Sequence, residues 1–224
     1  MLKKNFDILF FIGIYVFLFV FLRLLGIHVP VIVFTACIFS IMGTLFSKRQ
    51  KWWGQLFFIC GNIMFVSYFF YIGLYGNMLL FGVYVLLCLW TIFQWTRRDS
   101  KTQKFLSPSG LGTFWRISLL VGLAVVMLIA MTGGFIHQPQ TLPLARALDF
   151  GMLFTGLSGQ LLLARKKIDS WVAWMLGDIM AMVLFSMTGQ WFLLGRAVIT
   201  FSVGGSALLE WRKDMKAIAP MRNR

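Results

Sequence analysis

Eight apolar stretches follow one another along this chain, at about residues 7–25, 30–46, 53–72, 77–95, 114–134, 146–164, 170–188 and 191–211. Each is long enough to cross the roughly 30 Å hydrocarbon core of a bilayer as a helix. A segment in that core has no water to satisfy its backbone N–H and C=O groups, so it must bond them within itself. The fold class expected is therefore an all-α integral membrane protein with eight transmembrane helices and almost nothing left over for a soluble domain. Charged residues make up 12% of the chain, about half of what an ordinary soluble domain carries.

The formal net charge of +14 invites a nucleic-acid reading, which the placement of the charge removes. Sorted by alternate loops, 18 of the 21 basic residues fall on one face: the amino terminus, the loops around Lys48, Arg97 and Lys166, and the carboxyl terminus. The opposite face has Arg23 and Arg146, and Arg196 lies within a span. The positive-inside rule then places both termini in the cytoplasm, which itself requires an even number of crossings. No nucleic-acid partner is expected. The first span is not read as a secretory signal, because it is longer than a signal's apolar region and no small-x-small cleavage site lies between Arg23 and Pro30. Cys37, Cys60 and Cys88 fall within spans in no metal-ligand spacing and are read as small apolar residues, so neither a metal nor another cofactor is expected.

A gapless shift of 116 residues brings Phe34 onto Phe150, Gly43 onto Gly159, Gly61 onto Gly177, Gly73 onto Gly189 and Trp95 onto Trp211. It also overlays CGNIM at 60–64 on LGDIM at 176–180, and the basic loop of Arg49 and Lys51 on that of Arg165 and Lys167. Three spans per copy leave the first copy on the wrong face to begin another in the same orientation, so one linker crossing is needed. The expected order is an extra helix at 7–25, a three-helix bundle at 30–95, a linker helix at 114–134 and a second three-helix bundle at 146–211, in one polytopic membrane domain. Carriers built from parallel repeats hold their substrate near mid-membrane.

The run WVAWMLGD sets Trp171, Trp174 and Asp178 at i, i+3 and i+7, on one helical face with a carboxylate near mid-membrane. An ionised Asp there costs about 2.5–3.5 kcal/mol, so its default reading is a functional residue turned toward protein or an aqueous path. Indole faces beside it attract a flat, cationic ring. The repeat shift sets Asn62 opposite Asp178, Gln55 opposite Trp171 and Phe58 opposite Trp174, so the charge and most of the aromatic surface belong to the second half. A second reading assigns Trp171 and Trp174 to the cytoplasmic aromatic belt. Asp149 and Arg196 have similar depth in two spans of one bundle, where an ion pair between them is expected; Gln160 either bridges helices or touches substrate. Catalysis finds little support: His28 and His137 both fall on the external side, and the chain has no HExxH, nucleophile elbow or phosphate loop. A membrane enzyme working through Asp149 and Asp178 and a purely structural protein are the remaining alternatives.

With ALDF at 147–150, GQLLLARKK at 159–167 and WVAWMLGD at 171–178, the chain resembles the PnuC-type nicotinamide riboside transporters, bacterial inner-membrane vitamin carriers related in architecture to the SWEET sugar facilitators. The resemblance covers about residues 30–213, and GLYGNMLL at 73–80 followed by Tyr84 is similar to the family's first-half segment. It implies a three-plus-one-plus-three helix fold, a homotrimer in membrane lipid, and facilitated diffusion by alternating access, made unidirectional when the vitamin is phosphorylated inside the cell for NAD biosynthesis. It carries Trp171, Trp174 and Asp178 onto the family's substrate-contacting stripe, and Gln160 and Asp149 onto polar positions of the preceding helix. The chain departs from the family's pattern at Asn77, Phe81, Arg196 and Ala197. Those departures bear on the substrate, and thiamine, then riboflavin or a deoxynucleoside, stand as alternatives.

Overall fold

The computed structural model describes residues 2–71, 75–97, 106–132 and 142–222. Eight helices run through those residues: α1 (Leu2–Leu24), α2 (Val31–Lys48), α3 (Gly54–Tyr71), α4 (Tyr75–Thr96), α5 (Thr113–Met131), α6 (Pro143–Ala164), α7 (Asp169–Met187) and α8 (Trp191–Arg222). Seven of them match the apolar stretches to within a few residues. α8 runs on well past the expected end at 211, because Arg212, Lys213, Met215, Lys216 and Ala217 are strong helix formers and extending a helix already begun is inexpensive. Five helices, α2 and α5–α8, hold an apolar window long enough to cross a membrane; α1, α3 and α4 contribute shorter apolar helices at Leu9–Leu24, Gly54–Tyr68 and Leu80–Thr96.

The chain divides into two compact units, Met1–Leu106 and Ser107–Arg224. In the first, α1 packs on α2, α2 on α3 and α3 on α4; in the second, α5 packs on α6, α6 on α7 and α7 on α8. α5 lays only one side on its neighbour and keeps Phe114, Ile117, Leu120, Val121 and Leu128 exposed, an outward surface suited to lipid. Cys37 and Cys88 are buried as small apolar residues, whereas Cys60 is exposed.

Local geometry recurs at the 116-residue offset. α2 and α6 both end at an arginine cap, Arg49 and Arg165, followed by a residue in the left-handed region, Gln50 at φ 55° and Lys166 at φ 48°. Each turn is closed by the same two backbone bonds, Gln50 N to Ser47 O and Lys51 N to Phe46 O in one, Lys166 N to Leu163 O and Lys167 N to Leu162 O in the other. That is the pattern of a Schellman closure, met here without the usual glycine. Close approaches recur as well. A Cβ added at Gly43 would strike the Phe58 ring at 2.8 Å, and one at Gly159 would strike the Trp174 ring. Gly61 faces Phe39 just as Gly177 faces Thr155, again at corresponding positions.

Candidate functional site

α7 begins where it does because its first turn is latched to the segment before α5. The Asp169 carboxylate accepts from Leu111 N at 2.7 Å and from Arg116 Nε at 2.7 Å. Ser109 exchanges backbone bonds with Lys166 O (3.1 Å) and Ile168 N (2.9 Å), and the Lys167 ammonium donates to Ser109 Oγ at 2.9 Å. Beside them, burial pushes the Lys166 ammonium below the ordinary lysine range of about 10.5.

From that anchored start, the i, i+3 spacing sets Trp171 and Trp174 together, ring centroids 5.4 Å apart and planes at 90°. This edge-to-face contact is one of the favoured aromatic geometries. Trp211 of α8 also packs edge-to-face on Trp171, at 5.5 Å and 84°. Trp171 is fully enclosed (0% exposed), and its indole Nε1 is buried without a hydrogen-bond partner. An enclosed indole is not a lipid-facing belt residue, so the belt reading does not hold for Trp171. Trp174 is half-buried and its ring lies directly over Gly159 of α6, where only the absence of a side chain leaves room for it. Gln160, the next residue, is buried at 3% exposure, so α6 turns a glycine and an amide inward at adjacent positions.

One turn beyond Trp174, the half-buried Asp178 accepts a hydrogen bond at Oδ1 from Thr200 Oγ1 of α8 at 2.9 Å. The same hydroxyl lies 3.0 Å from Arg196 O and 3.2 Å from Ala197 O, but the charged carboxylate is the stronger acceptor for its one proton. Arg196, one turn from Thr200 on α8, acts electrostatically on Asp178. The expected ion pair between Asp149 and Arg196 is not formed: the Arg196 Nε is buried without a hydrogen-bond partner. Rotation about the helix axis turns Arg196 toward Asp178 of α7, while Asp149 stays exposed on α6. Eleven residues, about 16 Å of helix, separate Asp149 from Gln160. Asn62 belongs to the first unit, where its amide donates to Cys88 Sγ at 3.9 Å. Asn77 has a helical backbone, and its side chain lies outside the described residues.

The second unit thus brings together Trp171, Trp174, Asp178 and Arg196, with Gln160 next to the glycine that seats Trp174. Sequence reasoning missed Thr200 and Trp211. Thr200 was detectable as a hydroxyl four residues from an intramembrane Arg, and Trp211 as the repeat partner of Trp95, buried like it. A shallow apolar groove between α5, α6 and α7, lined by Leu119, Leu123, Phe154 and Leu176 among others, holds none of these site residues.

A family model described as nicotinamide mononucleotide transporter matches residues 30–213. No curated protein matches the chain. Among solved structures, the chain is similar in fold to the crystal structure of the vitamin B3 transporter PnuC, with a TM-score of 0.73 at 16% sequence identity, over 97% of this chain and 93% of that one.

Proposed function

The chain belongs to the nicotinamide mononucleotide transporter family, and we propose that it carries nicotinamide riboside across the bacterial inner membrane, with both termini in the cytoplasm. The observation that supports this substrate most directly is the ladder on α7: a half-buried Trp174 seated on Gly159, braced from behind by Trp171 and Trp211, with the Asp178 carboxylate one turn away. An indole face and a carboxylate about 6 Å apart along a helix suit a flat cationic ring such as a pyridinium, which gains from the ring face and the charge together. Trp171 contributes by holding Trp174 in place, and Gln160 is a buried amide of α6 next to Gly159 in sequence.

Transport on this reading proceeds by alternating access of the loaded site, without a coupled ion. It becomes unidirectional through phosphorylation of the vitamin in the cytoplasm. The functional assembly is a homotrimer of two parallel three-helix repeats joined by α5, with α1 as an additional helix; the recurrent turns at Gln50 and Lys166 support the repeat. The test is a binding screen of the purified protein against nicotinamide riboside, thiamine, riboflavin and deoxynucleosides. Nicotinamide riboside is expected to bind most tightly, and tighter binding of another vitamin would reassign the substrate while leaving the fold untouched.

A further inference from the structure

Two opposite charges approach each other across α7 and α8 without joining. Arg196 and Thr200 are one turn apart on α8 and share a face, and Thr200 fixes where that face points, since its hydroxyl reaches Asp178 Oδ1 at 2.9 Å. Arg196 acts on Asp178 through space, yet its guanidinium makes neither an ion pair nor a hydrogen bond among the described residues, and its Nε is buried without a partner. The other nearby ionisable group, Asp149 on the neighbouring α6, is exposed and lies several residues nearer the start of that helix than Thr155, which faces α7 at Gly177. Arg196 is therefore the cation available to Asp178, and it is held by charge alone.

We propose that Arg196 is a tethered stand-in for the substrate's positive charge: in the empty site its guanidinium compensates Asp178, and an arriving cationic ring on Trp174 takes over that task. The inference rests on the carrier reading above and extends it to the return step. A facilitator must reorient empty as well as loaded, and an uncompensated carboxylate in mid-membrane is heavily penalised. A bonded Asp–Arg pair would compete too strongly with the ligand, whereas an Arg one turn away neutralises the site and yields it. Arg196 then governs the empty return and contributes little to the loaded crossing.

The experiment uses the full chain in proteoliposomes with labelled nicotinamide riboside, measuring net uptake into empty vesicles and exchange into preloaded ones. Wild type is expected to do both. Arg196→Gln lowers net uptake about tenfold or more, because its empty form carries a bare Asp178, while exchange stays within about threefold. Arg196→Gln/Asp178→Asn recovers the ratio of net uptake to exchange at weaker half-saturation. Arg196→Lys keeps that ratio at the wild-type value and carries the test if Arg196→Gln is not recovered folded. Equal loss of net uptake and exchange in Arg196→Gln, unchanged net uptake in it, or a fallen ratio in Arg196→Lys overturns the inference and leaves the carrier reading standing. A wild-type protein that neither takes up nor exchanges nicotinamide riboside overturns both.

Discussion

Gly159→Ala tests the candidate site without touching any of its functional groups. A Cβ at that position would overlap Cδ1 and Nε1 of Trp174, so the indole has to leave its seat or α6 and α7 have to part. Overpacking of this kind costs about 1–3 kcal/mol of stability. The corresponding change in the first unit, Gly43→Ala, drives a Cβ to 2.8 Å from the Phe58 ring and is expected to cost a similar amount. The two variants differ in what the displaced ring does. On the proposed reading Trp174 stacks on the ligand, and losing its ring face is worth about 1–2 kcal/mol, so Gly159→Ala is expected to weaken nicotinamide riboside binding roughly fivefold to thirtyfold. Gly43→Ala, matched in stability loss, leaves affinity within about twofold because Phe58 belongs to no part of the proposed ladder. Thermal melts of purified protein give the stability term, and calorimetric titration gives the affinity. If both variants lose stability alike and neither loses affinity, Trp174 is a packing residue and the proposed site is wrong.

Other expectations follow from the same contacts. Asp178→Asn keeps shape and removes charge, so it should impair a pyridinium ligand more than a neutral nucleoside; equal loss for both ligand types in a binding assay makes Asp178 structural. Thr200→Val deletes the bond to Asp178 and should cost about 0.5–1.5 kcal/mol in a thermal melt, and no change would mean the hydroxyl stays with its own helix. Asp169→Ala strands the Leu111 amide and should cost about 1–3 kcal/mol, whereas Arg116→Ala, losing only a half-exposed ion pair, should cost under about 1 kcal/mol; similar melts for the two would refute that ranking. Lys166 has its ammonium held below the ordinary value of about 10.5 by burial, so folding penalises the charged form. That penalty is fully present below the lowered pKa and fades as pH rises toward 10.5, so stability should climb through that window, and Lys166→Met should flatten the climb. A climb of unchanged size in the variant would assign it to another group.

The eight helices were legible because an apolar stretch in lipid has one way to satisfy its backbone, and the turns after α2 and α6 because the repeat offset marks corresponding caps at Arg49 and Arg165. The end of α8 was not legible from hydropathy, which stops at the membrane edge while helix propagation does not. Along α7, spacing alone put Trp171, Trp174 and Asp178 on one face. It could not say what covers that face, so the enclosure of Trp171 by Trp211 had to come from packing. Arg196 shows the same limit. Position along the helix cannot name its partner, which depends on rotation about the axis, and the cue was Thr200 four residues later. Asn62 matched Asp178 by register, yet it makes its own bond to Cys88 within the first unit.

The most direct test of the account is uptake of labelled nicotinamide riboside by the purified wild-type chain in proteoliposomes without an ion gradient, beside Trp174→Ala. Uptake is expected to be saturable and to stop at equal concentrations on the two sides, with a half-saturation weakened roughly tenfold in the variant. Uptake no greater than in protein-free vesicles, or identical half-saturation in wild type and Trp174→Ala, contradicts it.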